Sequence, residues 1–315
     1  MLAEQVRSGL VETSHDGAVA VVDEAGSLVA SHGDIDRPFF LRSAAKPFQA
    51  LVSMQAGAGL SPLELAMASS SHRGFPVQVA LVGAMLEAAG LDESALGCPV
   101  DWPIHPTAAR LVARSGATAP RRIWHNCSGK HAGFLRACVG SGWPVDTYLD
   151  PAHPLQERVV ALVSELGGHP ADPVGVDGCG APVLRTTARA MATMFARLAG
   201  HPDLAEVYTA MHRYPALIGG NGEGDTEMAI ASDAVAKGGA AGCVGVAVRG
   251  RLGVGVKSWD GLGSVANLAA ITAIDQLGVL SPTGRSALAT LGSPVVLGGG
   301  QPVGHVLPTF TLEPG

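Results

Sequence analysis

The chain has 315 residues, enough for one large domain or two modest ones, with only 15% charged residues and a formal net charge of −6. The negative balance and the lack of a Lys/Arg cluster disfavour a nucleic-acid partner, and with 4% aromatic residues no base-stacking platform is expected. No apolar run reaches the roughly 18 residues of a membrane span, and no basic stretch followed by an apolar core marks a leader, so a cytoplasmic protein is expected.

The N-terminal 35 residues read as strands. Ala18-Val19-Ala20-Val21-Val22 and Leu28-Val29-Ala30 are apolar runs separated by Asp23-Glu24-Ala25-Gly26, which predicts a hairpin. Phe39 to Ala50 follows and carries Ser43-Ala44-Ala45-Lys46. A helix opening near Ser43 sets Lys46 on the same face one turn later, an amine beside a hydroxyl. Serine is a weak nucleophile until a base takes its proton, and Ser-x-x-Lys is the acylating pair of penicillin-binding enzymes. The bland reading is an N-cap with an exposed lysine. The surrounding Phe39, Phe40, Leu41, Phe48 and Leu51 favour a part-buried lysine instead.

Ser61-Pro62-Leu63-Glu64 predicts a capped helix start. Ser69-Ser70-Ser71-His72 follows that helix, and its plain reading is a polar turn. Val77 to Leu86 reads as helix again. Residues 98–124, with four prolines, are expected to cover or line something rather than build core. His125-Asn126-Cys127-Ser128-Gly129-Lys130-His131-Ala132-Gly133 looks superficially like the end of a phosphate loop. Trp124 stands where the first glycine belongs and His131 where magnesium needs a hydroxyl, so a nucleotide site is excluded.

Residues 155–166 and 183–198 read as amphipathic helices, the second with Leu184, Ala188, Met191, Phe195 and Leu198 on one face. Gly219 to Thr226 reads as a glycine-rich loop. Cys243–Val248 and Gly253–Lys257 flank Arg249-Gly250-Arg251 as a second hairpin, a helix is expected at about 264–277, and His305–Leu312 as a returning strand. The five cysteines, 98, 127, 138, 179 and 243, do not form a secreted disulfide framework. With strands at both ends and helices between, the expected fold is α+β: one antiparallel sheet built from both chain ends, about 1–42 and 227–315, around a mainly helical lobe, about 43–226, in a single catalytic domain with a cleft between lobes.

Four stretches in order, Arg42 to Ala50, Ala68 to Gly74, His125 to Gly133 and Val176 to Gly180, together resemble the type II L-asparaginase family typified by rhizobial enzymes. The spacing from Cys243 to Lys257 also fits. The resemblance implies a serine β-lactamase/glutaminase-like fold and hydrolysis of L-asparagine to L-aspartate and ammonia. It implies two Ser-Lys pairs, Ser43 with Lys46 and Ser71 with Lys257. It also implies a zinc ion on Cys127, Lys130 and Cys179 with Asp177 close by, and Cys243 near the site. Arg42, His72 and Asp177 are expected around the substrate. Asp225 and Thr226 either bind its α-amino group or make a turn. The common form of the second motif has Glu where this chain has Phe75, and the loop before Asp225 often has an aromatic where this chain has Gly224. A homodimer is expected. Competing readings are a Ser-Lys hydrolase of glutamine, a β-lactam or a peptide amide, and a non-catalytic zinc-and-thiol protein.

Overall fold

The computed structural model describes residues 1–172 and 174–315. Alternating valine and glycine set the architecture. Cys243–Val248 and Leu252–Ser258 pair as the expected hairpin, in the register Val244↔Val256, Gly245↔Gly255 and Val246↔Val254. Side chains alternate between faces of a strand, so the valines fall on one face and the glycines on the other. Val244, Val246, Val254 and Val256 are buried with Val265, Leu268 and Ala269 of the helix Gly263–Gln276. The glycine face receives the helix Ala188–Gly200 at close range. A Cβ at Gly253 would lie 2.1 Å from Ala192 O, and one at Gly255 would lie 2.2 Å from Ala188 O. Only glycine lets helix backbone and strand backbone meet this closely.

The hairpin is the centre of a six-stranded sheet. Its order is Glu313–Pro314, Leu28–His32, Gly17–Asp23, Leu252–Ser258, Cys243–Val248 and Ala234–Gly239. Every neighbouring pair is antiparallel. The strands come from both ends of the chain, as expected of the α+β class. The expectation of a single sheet is incomplete: Ala3–Arg7 and Leu10–His15 join Gln301–Pro308 and Val295–Gly298 in a second, four-stranded antiparallel sheet. Those strands carry few buried side chains, so their alternation is weak in sequence.

Most helices lie between the two sets of strands. The expected cap at Ser61 is a full capping box with Glu64, opening the helix Pro62–Ala68. The expected helix at 183–198 begins later, at Ala188, because Thr187 accepts from Ala190 N and caps it there. Leu184 precedes it between short strands. The helix Ala188–Gly200 turns Ala188, Ala192 and Ala196 to the sheet and Met191, Met194, Phe195 and Leu198 to the helical core. There Phe195 meets Phe48 edge-on, ring centroids 5.5 Å apart. Among the described residues no helix is long and apolar enough to cross a membrane.

Candidate active site

Ser43 lies in a short 3-10 turn, Arg42–Ala45, that runs directly into the helix Lys46–Gln55. In a 3-10 turn residues three apart eclipse one another, which stacks Ser43 and Lys46. The turn starts from strain: Arg42 has φ +50°, a region that side chains other than glycine's rarely enter. It is held there because Arg42 Nε donates to Asp177 Oδ1 at 2.6 Å and the preceding Leu41 N–H donates to Leu184 O at 2.9 Å. Neither Arg42 nor Asp177 lines the cavity in front of Ser43. Their contact fixes the Ser43 turn to the loop that carries Cys179.

Lys46 is 1% exposed among apolar neighbours. Its amine donates to Ser70 O at 2.6 Å and to Ser71 Oγ at 2.9 Å. Burial lowers its pKa, and the Lys237 and Lys130 charges add to this against the opposing Cys127 and Cys179 sulfurs. The neighbouring cations are therefore Lys237 and Lys130, and not Lys257, the lysine the resemblance pairs with Ser71. Lys257 instead donates to Ala241 O at 2.7 Å and to Ser258 O, and sits over the Trp259 ring. Among the described residues the hydrogen bond to Ser71 comes from Lys46 and not from Lys257.

The three serines after the helix Pro62–Ala68 divide the work. Ser69 and Ser70 donate back to Leu65 O and Met67 O and close the helix. Ser71, half-buried, lines the cavity. His72 lies beneath it, fully buried, and does not line the cavity wall. Its Nδ1 accepts from Gly74 N–H at 3.1 Å, so Nε2 carries the proton and donates to Ser128 Oγ at 2.7 Å; that hydroxyl donates in turn to Ile123 O. Both ring nitrogens are committed to protein, which corrects the expectation of His72 as a substrate contact. Burial, with Lys46 and His125 nearby, lowers its pKa to about 3.

The motif from His125 to Gly133 packs by its glycines. A Cβ at Gly129 would lie 2.6 Å from Met67 O, and one at Gly133 would lie 3.1 Å from Ala68 Cβ. These two residues, four apart, press the helix Ser128–Ser141 onto the helix Pro62–Ala68. Lys130 Nζ then stands 3.0 Å from Cys179 Sγ. The neighbouring Cys179 sulfur holds the Cys127 thiol well below the ordinary range; burial opposes this, while Lys46 and Lys130 support it. Burial also opposes the charge on Lys130, but the two cysteines outweigh it and raise its pKa. The structure thus brings Cys127, Lys130 and Cys179 together. His131 Nε2, buried beside them, has no hydrogen-bond partner among the described residues. Soft sulfurs with a nitrogen suit zinc once the lysine gives up its proton. Among the described residues no group of three or more His, Cys, Asp or Glu converges as a metal cage.

The cavity is about 300 Å³ and is lined by Ser43, Ser71, Arg73, Asp225, Lys237 and Cys243, with Asn126, Ala240 and Asn267 among others. Ile104, from the proline-rich stretch, forms part of its wall as expected of that segment. Cys243 is buried, its thiol pushed up to about 11 by that burial, and contacts Leu41 O. Thr226 is fully buried and donates to Pro215 O, away from the wall. Asp225 accepts from Gly238 N–H at 2.8 Å and from Lys237 Nζ at 2.7 Å. Asp225 belongs to the helix Gly224–Ala231, not to a loop.

Lys237 was missed in the sequence. It lies on the edge strand Ala234–Gly239 and is 1% exposed. The signal was Lys237-Gly238-Gly239, one residue from the K-T-G of penicillin-binding enzymes. Three residues on, Ala240 N–H and, across the cavity, Ser43 N–H have no acceptor among the described residues.

Among curated proteins nothing matches. Among solved structures, Mglu in its native form is similar over 88% of this chain and 68% of its own, at 19% identity and a TM-score of 0.47. Two other Mglu structures are covered over 65% and 63% of their length, so the chain spans about two thirds of these relatives. A Bacillus glutaminase is similar over 84% of this chain and 91% of its own, at 11% identity and a TM-score of 0.39. A probable glutaminase, ybaS, is similar over 87% and 88%, at 14% identity and a TM-score of 0.41. The family model for L-asparaginase II matches residues 3–308, nearly the whole chain and every stretch that builds this cavity, and with it the protein belongs to that family and is an amidohydrolase.

Proposed function

We propose that the protein hydrolyses the side-chain amide of L-asparagine to L-aspartate and ammonia through an acyl-enzyme on Ser43. One observation carries this reading: Ser43 and Ser71 face a single cavity, and a buried amine with a lowered pKa, Lys46, reaches Ser71 at 2.9 Å. Ser43 Oγ attacks the carboxamide carbon while Lys46, whose charged form burial disfavours, takes its proton in its neutral form. Ser71, bonded to the same amine, hands a proton to the departing ammonia. Water then attacks the ester with the proton path reversed. The oxyanion of each tetrahedral intermediate is met by Ser43 N–H and Ala240 N–H, each such donor being worth about 3 kcal/mol. A cavity of about 300 Å³ suits a four-carbon amino acid.

Zinc on Cys127, Lys130 and Cys179 is part of the proposal, as is a homodimer. When bound, the ion supplies positive charge and a fixed anchor behind the cleft. Lys46 borders both Ser71 and Cys127, so this anchor also holds the base in place. Lys257 acts from further off, fixing the turn at Ala241 beside the cavity.

The test is ammonia release from L-asparagine and, in parallel, L-glutamine, by wild type and Ser43→Ala. Asparagine turnover that vanishes in the variant supports the reading. Turnover of glutamine alone overturns the substrate, and an active Ser43→Ala overturns the nucleophile.

A further inference from the structure

Asn267 stands in the helix Gly263–Gln276 and lines the cavity that holds Ser43 and Ser71. Its Oδ1 is buried and has no hydrogen-bond partner among the described residues. A buried carbonyl oxygen without a donor is unfavourable, so such a group in a binding cavity marks a place where a ligand donates.

The amide lies directly against Gly224. A Cβ at Gly224 would stand 2.4 Å from Asn267 Oδ1 and 2.7 Å from its Nδ2. Gly224 is not among the residues with positive φ, so its backbone does not call for glycine. Room for the Asn267 amide does. Gly224 is flanked in sequence by Glu223 and Asp225, and both residues line the cavity.

The cavity's cations are engaged by these two carboxylates and by backbone carbonyls, and neither donates to Asn267. Arg73 donates to Gly219 O at 2.6 Å and pairs with Glu223, and Lys237 donates to Asp225 at 2.7 Å and to Gly238 O at 2.8 Å. Among the described residues no donor reaches Asn267 Oδ1, so the site is open to one carried by a ligand. A primary ammonium offers three N–H donors: one for Asn267 Oδ1 and the others for lone pairs that Lys237 and Arg73 leave free on Asp225 and Glu223.

We propose that Asn267 Oδ1, with Asp225 and Glu223, receives the α-ammonium of the substrate, and that glycine at 224 exists to admit it. This rests on the reading that the substrate is an amino-acid amide. Asn267 is then a binding residue that selects for a free amine.

The test compares ligands with and without that amine. Binding of L-aspartate and succinate is measured by calorimetry, and kcat/KM for L-asparagine and succinamate, for wild type, Asn267→Ala, Asn267→Asp and Gly224→Ala. Wild type prefers the amine-bearing ligand. In Asn267→Ala that preference shrinks about ten- to hundredfold, the value of one hydrogen bond to a charged group. Gly224→Ala shrinks it too, since the new methyl meets only the far end of the Asn267 side chain and pushes it aside. Asn267→Asp, still an acceptor, keeps it. Equal losses on both ligands, an unchanged preference in Asn267→Ala, an Asn267→Asp that behaves like alanine, or a wild type that favours neither ligand each overturn the proposal. A wild type that turns over no amide, yet binds L-aspartate over succinate in an Asn267-dependent way, keeps the ammonium site and removes the amidase reading. Asparagine turnover with an unchanged preference in Asn267→Ala does the reverse.

Discussion

Lys46 Nζ lies 2.9 Å from Ser71 Oγ, and among the described residues no hydrogen bond joins it to Ser43, one turn away. In the resting enzyme the buried amine is therefore parked on the second serine. Catalytic contacts often tighten only once substrate is bound. Ser43→Ala is expected to abolish the acyl-enzyme altogether. Ser71→Ala is expected to form it, but with kcat lowered about 10²- to 10⁴-fold, the usual worth of a positioned proton donor or acceptor. Intact-protein mass after rapid quenching separates the two. An acyl adduct on Ser43→Ala would exchange their roles.

The pH–rate profile follows from Lys46. Burial favours the neutral amine, so its pKa lies below the ordinary 10.5. The base works only when unprotonated. kcat/KM is expected to fall about tenfold per pH unit as pH drops through that lowered value. Lys46→Arg cannot lose its proton and is expected to be inactive throughout. An arginine variant with a normal profile would remove Lys46 as the base.

Stability should weaken in mild acid. His72 has a pKa of about 3 in the folded protein against 6.5 in the unfolded chain. Between those values the unfolded chain takes a proton that the folded one refuses, so stability falls with pH from about 6.5 downward. Each unit is worth about 1.4 kcal/mol, or about 2 kcal/mol between pH 6.5 and 5. Urea unfolding at the two values measures it. His72→Gln should show a shallower slope, and an equal slope would assign the loss elsewhere.

Metal content tests the thiol cluster independently of turnover. Protein purified without chelators is expected to carry one zinc per chain. Cys127→Ser and Cys179→Ser should each leave it largely metal-free, and Lys130→Met should weaken retention. Elemental analysis decides this. A metal-free wild type would leave the cluster as a thiol–ammonium pair, with Lys130 Nζ 3.0 Å from Cys179 Sγ.

Packing of the sheet sets a cost on one small substitution. Gly255→Ala would drive a methyl to 2.2 Å from Ala188 O, which is helix backbone and cannot swing away. Overpacking of this kind costs about 1–3 kcal/mol. At a few degrees of melting temperature per kcal/mol, thermal denaturation resolves it. A melting temperature equal to wild type would mean that the helix Ala188–Gly200 is free to move off the sheet.

Local chemistry was legible. The hairpin 243–257 could be read because valine, glycine and a two-arginine turn sit in adjacent positions, and the cap at Ser61 because its box spans four residues. Ser43 and Lys46 were legible because they are three residues apart on one turn. Lys237 was not, since the carboxylate it pairs with, Asp225, stands twelve residues away on a helix. Asn267 was invisible for the same reason, being an ordinary polar residue until Gly224 is brought against it.

The sequence by itself determined the family, the antiparallel α+β class and the turn that joins Ser43 to Lys46, because each rests on contiguous residues and short-range periodicity. Only the tertiary structure decided which lysine meets which serine. Lys46 and Lys257 both end on buried, apolar-flanked positions. Which of them reaches Ser71 depends on where the strand Leu252–Ser258, the 3-10 turn and the serine turn come to rest against one another. A hydrogen bond requires a separation near 3 Å, and no spacing along the chain fixes that for residues on different elements.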